Sequence, residues 1–241
     1  FTLSMLLSFL FTTISSAQYG RMNWRQRSSI DLIVGGDFGF RLIDGNSADP
    51  QVQQMMSNRE DHENQKLNYR FGFNYYQGLT PALSLKTGLR FANPGFVINS
   101  VESFDLEQDI SEIKKEFEPW GPEYKYDYQM IEIPLGVKYP LIGTTCEPYF
   151  EAGIAPTIYR QTLVREVGFE EAYRSKTKVR EAIREVNFIG FASVGGNMNL
   201  SDNMSSFIQM VGRYQLNDLR EGPIVERIIS MGLEAGVRYY L

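Results

Sequence analysis

The chain has 241 residues, a formal net charge of −5 and a single cysteine, and 13% of it is aromatic. That length fits one domain. The lone Cys146 excludes an internal disulfide, and the lack of a basic stripe argues against a nucleic-acid partner. Beyond the first residues no segment offers the ~18 consecutive apolar residues of a membrane helix, while a mean hydropathy of −0.28 fits a soluble protein and a barrel with a polar lumen equally well.

Residues 1–17, FTLSMLLSFLFTTISSA, carry no charge, an apolar run from Leu3 to Phe11 and a close on Ser15, Ser16 and Ala17. This is the pattern of a secretory signal peptide whose basic start is missing. It predicts a single mature unit over 18–241, beginning at Gln18. No cysteine follows the cleavage site, so lipoprotein acylation is not expected.

The first strand, from Ile30 to Leu42, alternates: Ile30, Leu32, Val34, Phe38, Phe40 and Leu42 fall on one face, Asp31, Asp37 and Arg41 on the other. A polar stretch containing Pro50 follows and reads as a long loop. The second strand, 67–77, sets Leu67, Tyr69, Phe71, Phe73 and Tyr75 against Asn68, Arg70, Gly72 and Asn74. Gly78-Leu79-Thr80-Pro81 reads as a tight turn. The third strand sets Leu83, Leu85, Leu89 and Phe91 against Ser84, Lys86, Gly88 and Arg90. Residues 98–124 read as a second long polar connection.

The fourth strand, 126–140, places Ile131, Ile133, Leu135, Val137 and Tyr139 opposite Glu132, Pro134, Gly136 and Lys138. A proline in mid-strand points to an edge or a bulge. Tyr128 followed by Ile131-Glu132-Ile133-Pro134-Leu135-Gly136-Val137-Lys138-Tyr139 resembles the hallmark strand of the PorT-like outer-membrane β-barrel family of Bacteroidetes, with its tyrosine, aliphatic-Glu-aliphatic-Pro run and Lys-Tyr. The resemblance follows the strand order of the mature chain. It implies fold and location, and a role in assisting protein export across the outer membrane as one version of the function. It also implies that the terminal Tyr239-Tyr240-Leu241 is read by the barrel-insertion machinery.

Gly143-Thr144-Thr145 predicts the next short turn. The fifth strand sets Phe150, Ala152, Ile154 and Ile158 against Tyr149, Glu151, Gly153 and Thr157. The highly charged segment 163–185 fits a helix or a hairpin, and periodicity does not choose between them. The sixth strand presents Val186, Phe188, Ala192, Val194, Met198 and Leu200, and Ser201-Asp202-Asn203 turns into the seventh, where Ile208, Met210, Tyr214 and Leu216 oppose Phe207, Gln209, Arg213 and Gln215. After a shorter loop the last strand, 228–241, alternates without a slip. Ile229, Met231, Leu233, Ala235, Val237, Tyr239 and Leu241 form one face and Ser230, Gly232, Glu234, Gly236 and Arg238 the other.

One such strand suits a soluble sandwich as well as a membrane barrel, but the connections decide. Short and long links alternate strictly between about eight strands, each at or above the ~9–11 residues of a tilted membrane strand. This predicts an all-β fold: a transmembrane up-and-down antiparallel barrel with short periplasmic turns, long outer loops and both termini in the periplasm. A soluble eight-stranded barrel would need a polar outer face, and here the faces are inverted.

The opposite face then lines the lumen with Asp31, Asp37, Glu132, Glu151 and Glu234 against Arg41, Arg70, Lys86, Arg90, Lys138, Arg213 and Arg238. An eight-stranded barrel is only wide enough for side chains to fill. Opposed charges among glycines most simply form a salt-bridged plug, because unpaired buried charge is costly; proton or ion conduction and small-ligand binding are the competing readings.

Catalytic signals are weak. The only histidine, His62, lies in the first long loop between Asp61 and Glu63 with Ser57 nearby, where a Ser-His-acid geometry is not expected. Asp105, Glu107, Asp109 and Glu112 lack the glycine and closing carboxylate of a calcium loop, and Ile110, Ile113 and Phe117 suggest a short amphipathic helix there instead. Neither metal nor cofactor is expected. The expectation is a non-enzymatic outer-membrane protein, embedded in outer-membrane lipid, with a closed interior, acting through its outer loops or within an envelope or secretion complex. The alternatives are a hydrolase or lipid-modifying enzyme using His62, and a narrow pore or ligand carrier.

Overall fold

The computed structural model describes residues 28–44, 63–80, 82–99, 123–141, 147–167, 176–179, 183–219 and 225–241. Among them lie eleven strand segments in one sheet: β1 (Ser29–Asp44), β2 (Glu63–Thr80), β3 (Leu83–Ala92), β4 (Gly95–Asn99), β5 (Glu123–Glu132), β6 (Leu135–Pro140), β7 (Glu147–Val167), β8 (Lys176–Val179), β9 (Val186–Ser201), β10 (Met204–Gln215) and β11 (Val225–Tyr240).

Three staves are broken part-way. β3 runs into β4 across Asn93 and Pro94, β5 into β6 across Ile133 and Pro134, and β8 leads into β9. Joining these pieces gives eight staves, all paired antiparallel in chain order. The ring closes because β1 pairs with β2 on one side and with β11 on the other, from Ser29↔Tyr240 to Asp44↔Val225. Pro94 and Pro134 each sit where a stave is interrupted, since proline cannot donate a ladder hydrogen bond. The chain keeps its course there through Tyr128 N–H to Pro94 O at 2.8 Å and Ile133 N–H to Pro156 O at 2.9 Å.

Strands reach further than alternation alone indicates. Residues 63–66 extend the second stave, Ile98 and Asn99 belong to β4, and Glu123 and Tyr124 belong to β5, so the polar connection is shorter than 98–124. Gly78, Leu79 and Thr80 are still strand, with a register irregularity between Gly78 and Thr80. The segment whose periodicity left helix and hairpin open is a pair of strand arms: β7 continues to Val167 and β8 pairs with its residues 162–165. Lys176-Thr177-Lys178-Val179 alternates charged and β-branched residues, which suits a short ladder strand.

The faces are inverted relative to a water-soluble barrel. Leu32, Leu67 and Leu233 are 66%, 65% and 57% exposed on the outside, while Asp31, Glu151 and Asn74 are fully buried inside. Tyr239, Ile30 and Tyr75 sit in one cross-strand row near the turn end, and the Tyr75 hydroxyl donates to Gln77 at 2.6 Å. An aliphatic band edged by tyrosines whose polar tips leave it is the surface of a barrel solvated by lipid.

Candidate functional site in the barrel lumen

Alternation points every second side chain of each stave into the lumen, and closure brings together residues far apart in sequence. At mid-height six charges of alternating sign make a continuous belt. The Arg70 guanidinium spans Glu132, at 3.1 Å, and Asp37. Arg213 reaches Asp37 at 3.0 Å and also contacts Glu234. Arg90 meets the same Glu234 at 3.2 Å. Six segments (β5, β2, β1, β10, β11 and β3) each contribute one member. Gln209 donates to Glu234 at 2.6 Å, Asn68 to Asp37 at 3.0 Å, and Arg90 to Asn74 at 3.0 Å.

Nearer the turn end are two smaller groups. Arg238 donates from Nε and Nη2 to the two oxygens of Asp31, both at 2.7 Å, and from Nη1 to Asn197 at 3.2 Å. Glu151 accepts from Lys86 at 2.5 Å and from the Tyr76 hydroxyl at 2.8 Å. Lys138 stands apart. Its amine lies 3.5 Å from the centre of the Tyr149 ring and is buried with no hydrogen-bond partner. Nearer the loop end, Arg41 pairs with Glu226 at 3.1 Å and lies 3.9 Å over the Phe96 ring. Lys66 contacts Asp127 and donates to Asn93 O at 3.0 Å.

All twelve charges named from alternation thus point into the lumen. Lys66 and Glu226, just outside the strand spans read from alternation, and Asp127, off the inward parity within 126–140, join them. Above the belt the lumen turns apolar, which the sequence did not suggest either. Phe96, Tyr128, Met130, Ile183 and Leu219 form a buried cluster, with Ile98, Tyr126, Tyr159 and Ile228 packed on it. The Phe96 and Tyr126 rings stack at 4.8 Å. Between belt and cluster is a small recess of about 10 Å³, lined by Arg70, Arg213, Thr157, Asn187, Gln215 and Met130 among others.

Small residues make room for this filling. The Phe191 ring lies over Gly136 and Gly153, where an added Cβ would come within 3.0 and 2.8 Å of it; at Gly236 a Cβ would meet the Phe207 ring at 2.7 Å. Chemically the arrangement neutralises itself. Each guanidinium of the belt is held by carboxylates, and each carboxylate by at least one cation, the condition under which buried ions are tolerated.

No protein-family model matches this chain, and no curated protein matches it in sequence. Solved barrels are similar to it at low identity. Neisserial surface protein A shares 10% identity over 86% of this chain and 96% of its own, with a TM-score of 0.44. The attachment invasion locus protein Ail of Yersinia pestis shares 11% over 89% and 100%, at 0.37. The outer membrane protease OmpT of Escherichia coli shares 11% over 92% and 99%, at 0.45.

Among the described residues no three His, Cys, Asp or Glu side chains come together to hold a metal. Ser57, His62, the carboxylates at 105–112, Cys146 and the segment 1–17 lie outside the described residues.

Proposed function

We propose that this protein is a non-enzymatic outer-membrane barrel with a permanently closed lumen, and that it acts through its outer loops or as a component of an envelope or secretion complex. The observation that carries this reading is the six-charge belt beneath the apolar cluster. Among the described residues, both groups are buried side chains stacked within the lumen. Such an interior suits a scaffold. In this reading the lipid-facing band lies in the outer membrane, and both termini and the short turns face the periplasm. The long connections face outward, where a partner would bind.

The PorT-like hallmark at Tyr128 and Ile131 to Tyr139 favours one version, assistance to protein export. Affinity purification from native membranes in mild detergent tests the general reading: a partner retained in fixed ratio is expected, and a protein recovered alone would contradict action within a complex. Deleting the gene tests the export version, for which accumulation of undelivered cargo is expected and unchanged secretion would be contrary.

A further inference from the structure

The belt at mid-height balances its charges, but the layer beneath it does not. Around the buried Tyr76 ring stand three cations: the Arg238 guanidinium 4.6 Å from the ring centre, the Lys138 amine at 5.3 Å and the Lys86 amine at 5.7 Å. Two carboxylates accompany them, Asp31 and Glu151, both fully buried. Asp31 gives both its oxygens to Arg238. Glu151 gives one oxygen to Lys86 and the other to the Tyr76 hydroxyl. Lys138 is the third cation. It stands opposite the same Glu151 across β6 and β7, is 6% exposed and makes no hydrogen bond. The next carboxylate along that face of β7, Glu147, is only half-buried, at the turn end of the stave.

Contact with a ring face returns only part of what burying an ammonium costs. The imbalance has a second mark. Among the described residues, every buried side-chain polar atom short of a hydrogen-bond partner is a nitrogen: Lys138 Nζ, Arg90 Nη2, Asn74 Nδ2 and Arg70 Nη1, the last of which touches Asp37. Arg90 and Asn74 meet one inward position from Tyr76, where the single amide oxygen accepts from Arg90 Nε and two donors are left over. A layer rich in cations and in donors suits an acceptor that carries negative charge and brings no donor of its own. The rings of Tyr76, Tyr149, Phe191 and Phe207 pack against these same cations, which favours an ion of halide size over a phosphate or an organic carboxylate. We propose that Lys138 holds a small inorganic monoanion, of the chloride class, in the turn-end half of the lumen. One such ion makes the three cations and two carboxylates of the layer neutral. The site goes beyond the proposed function and depends on neither the closure of the lumen nor the action of the loops.

The test crystallises the full-length protein from sodium bromide, and follows its thermal unfolding in detergent as bromide replaces gluconate at constant sodium concentration. A bromide anomalous peak within hydrogen-bonding reach of Lys138 Nζ is expected. The wild-type midpoint should rise by about 3–5 °C for each tenfold of bromide past half-saturation, since a ligand of the folded state alone adds RT ln 10 of stability per decade. Lys138→Met should show neither the peak nor the rise, while staying at least as stable as wild type in gluconate. Lys138→Gln serves the same comparison if the Met variant does not fold. Absence of the peak, or ordered water alone at the amine, would overturn the proposal. A rise of equal size in the variants would assign it to a general salt effect and overturn the proposal as well.

Discussion

Arg238 and Asp31 are 207 residues apart in sequence and directly opposite across the β1–β11 seam, where the barrel closes. They form a fork with two bonds of 2.7 Å. Paired in this way the two ions offset each other's desolvation. Removing one leaves the other buried and uncompensated, at a cost of about 3–5 kcal/mol.

Asp31→Ala should therefore lower the unfolding temperature of the detergent-solubilised barrel substantially, as read from heat-dependent gel mobility. Arg238→Met in the same chain should recover much of the loss, because an apolar pair of similar volume carries no desolvation cost. An Asp31→Ala protein as stable as wild type would show that the seam fork contributes nothing.

The two lysines of the lower lumen should behave oppositely. Lys86 bonds the fully buried Glu151, whereas Lys138, opposite the same Glu151 across β6 and β7, packs on rings and makes no hydrogen bond. Lys86→Met should destabilise by about 3–5 kcal/mol by stranding Glu151, while Lys138→Met should be neutral or stabilising. Denaturant titration of both variants in the same detergent measures the difference; equal losses would mean that Lys138 is held by a partner after all.

Lipid as the outer solvent can be tested by one charge at mid-band. Leu233 is 57% exposed on the outside of β11. In a bilayer Leu233→Arg should cost about 2–4 kcal/mol, measured by unfolding from lipid vesicles. In a water-soluble barrel the same change at an exposed position would be harmless, so an unaltered stability contradicts the membrane reading.

Much of this architecture was legible in the sequence because a strand's period of two writes the inside and the outside separately. Asp31, Arg70, Glu132, Arg213 and Glu234 could all be placed inward without knowing their partners. Lys66 and Glu226 keep the same parity as the inward sets of β2 and β11 and would have been found by continuing each strand by a few residues. Asp127 could not, because it is buried off the even-numbered parity that Tyr128, Met130 and Glu132 keep along β5. The apolar cluster had no local signal either. Ile183 and Leu219 flank strands rather than lie within a periodic run, and they meet Phe96 and Tyr128 only after the ring closes. Which charges pair is likewise a property of closure, since belt neighbours come from six different segments.

The closed lumen is the central claim, and planar-bilayer recording of the purified full-length protein tests it most directly. A barrel plugged by the Glu132–Arg70–Asp37–Arg213–Glu234–Arg90 belt and covered by the Phe96 cluster should insert with no steady conductance. Steady open channels of nanosiemens conductance would contradict it.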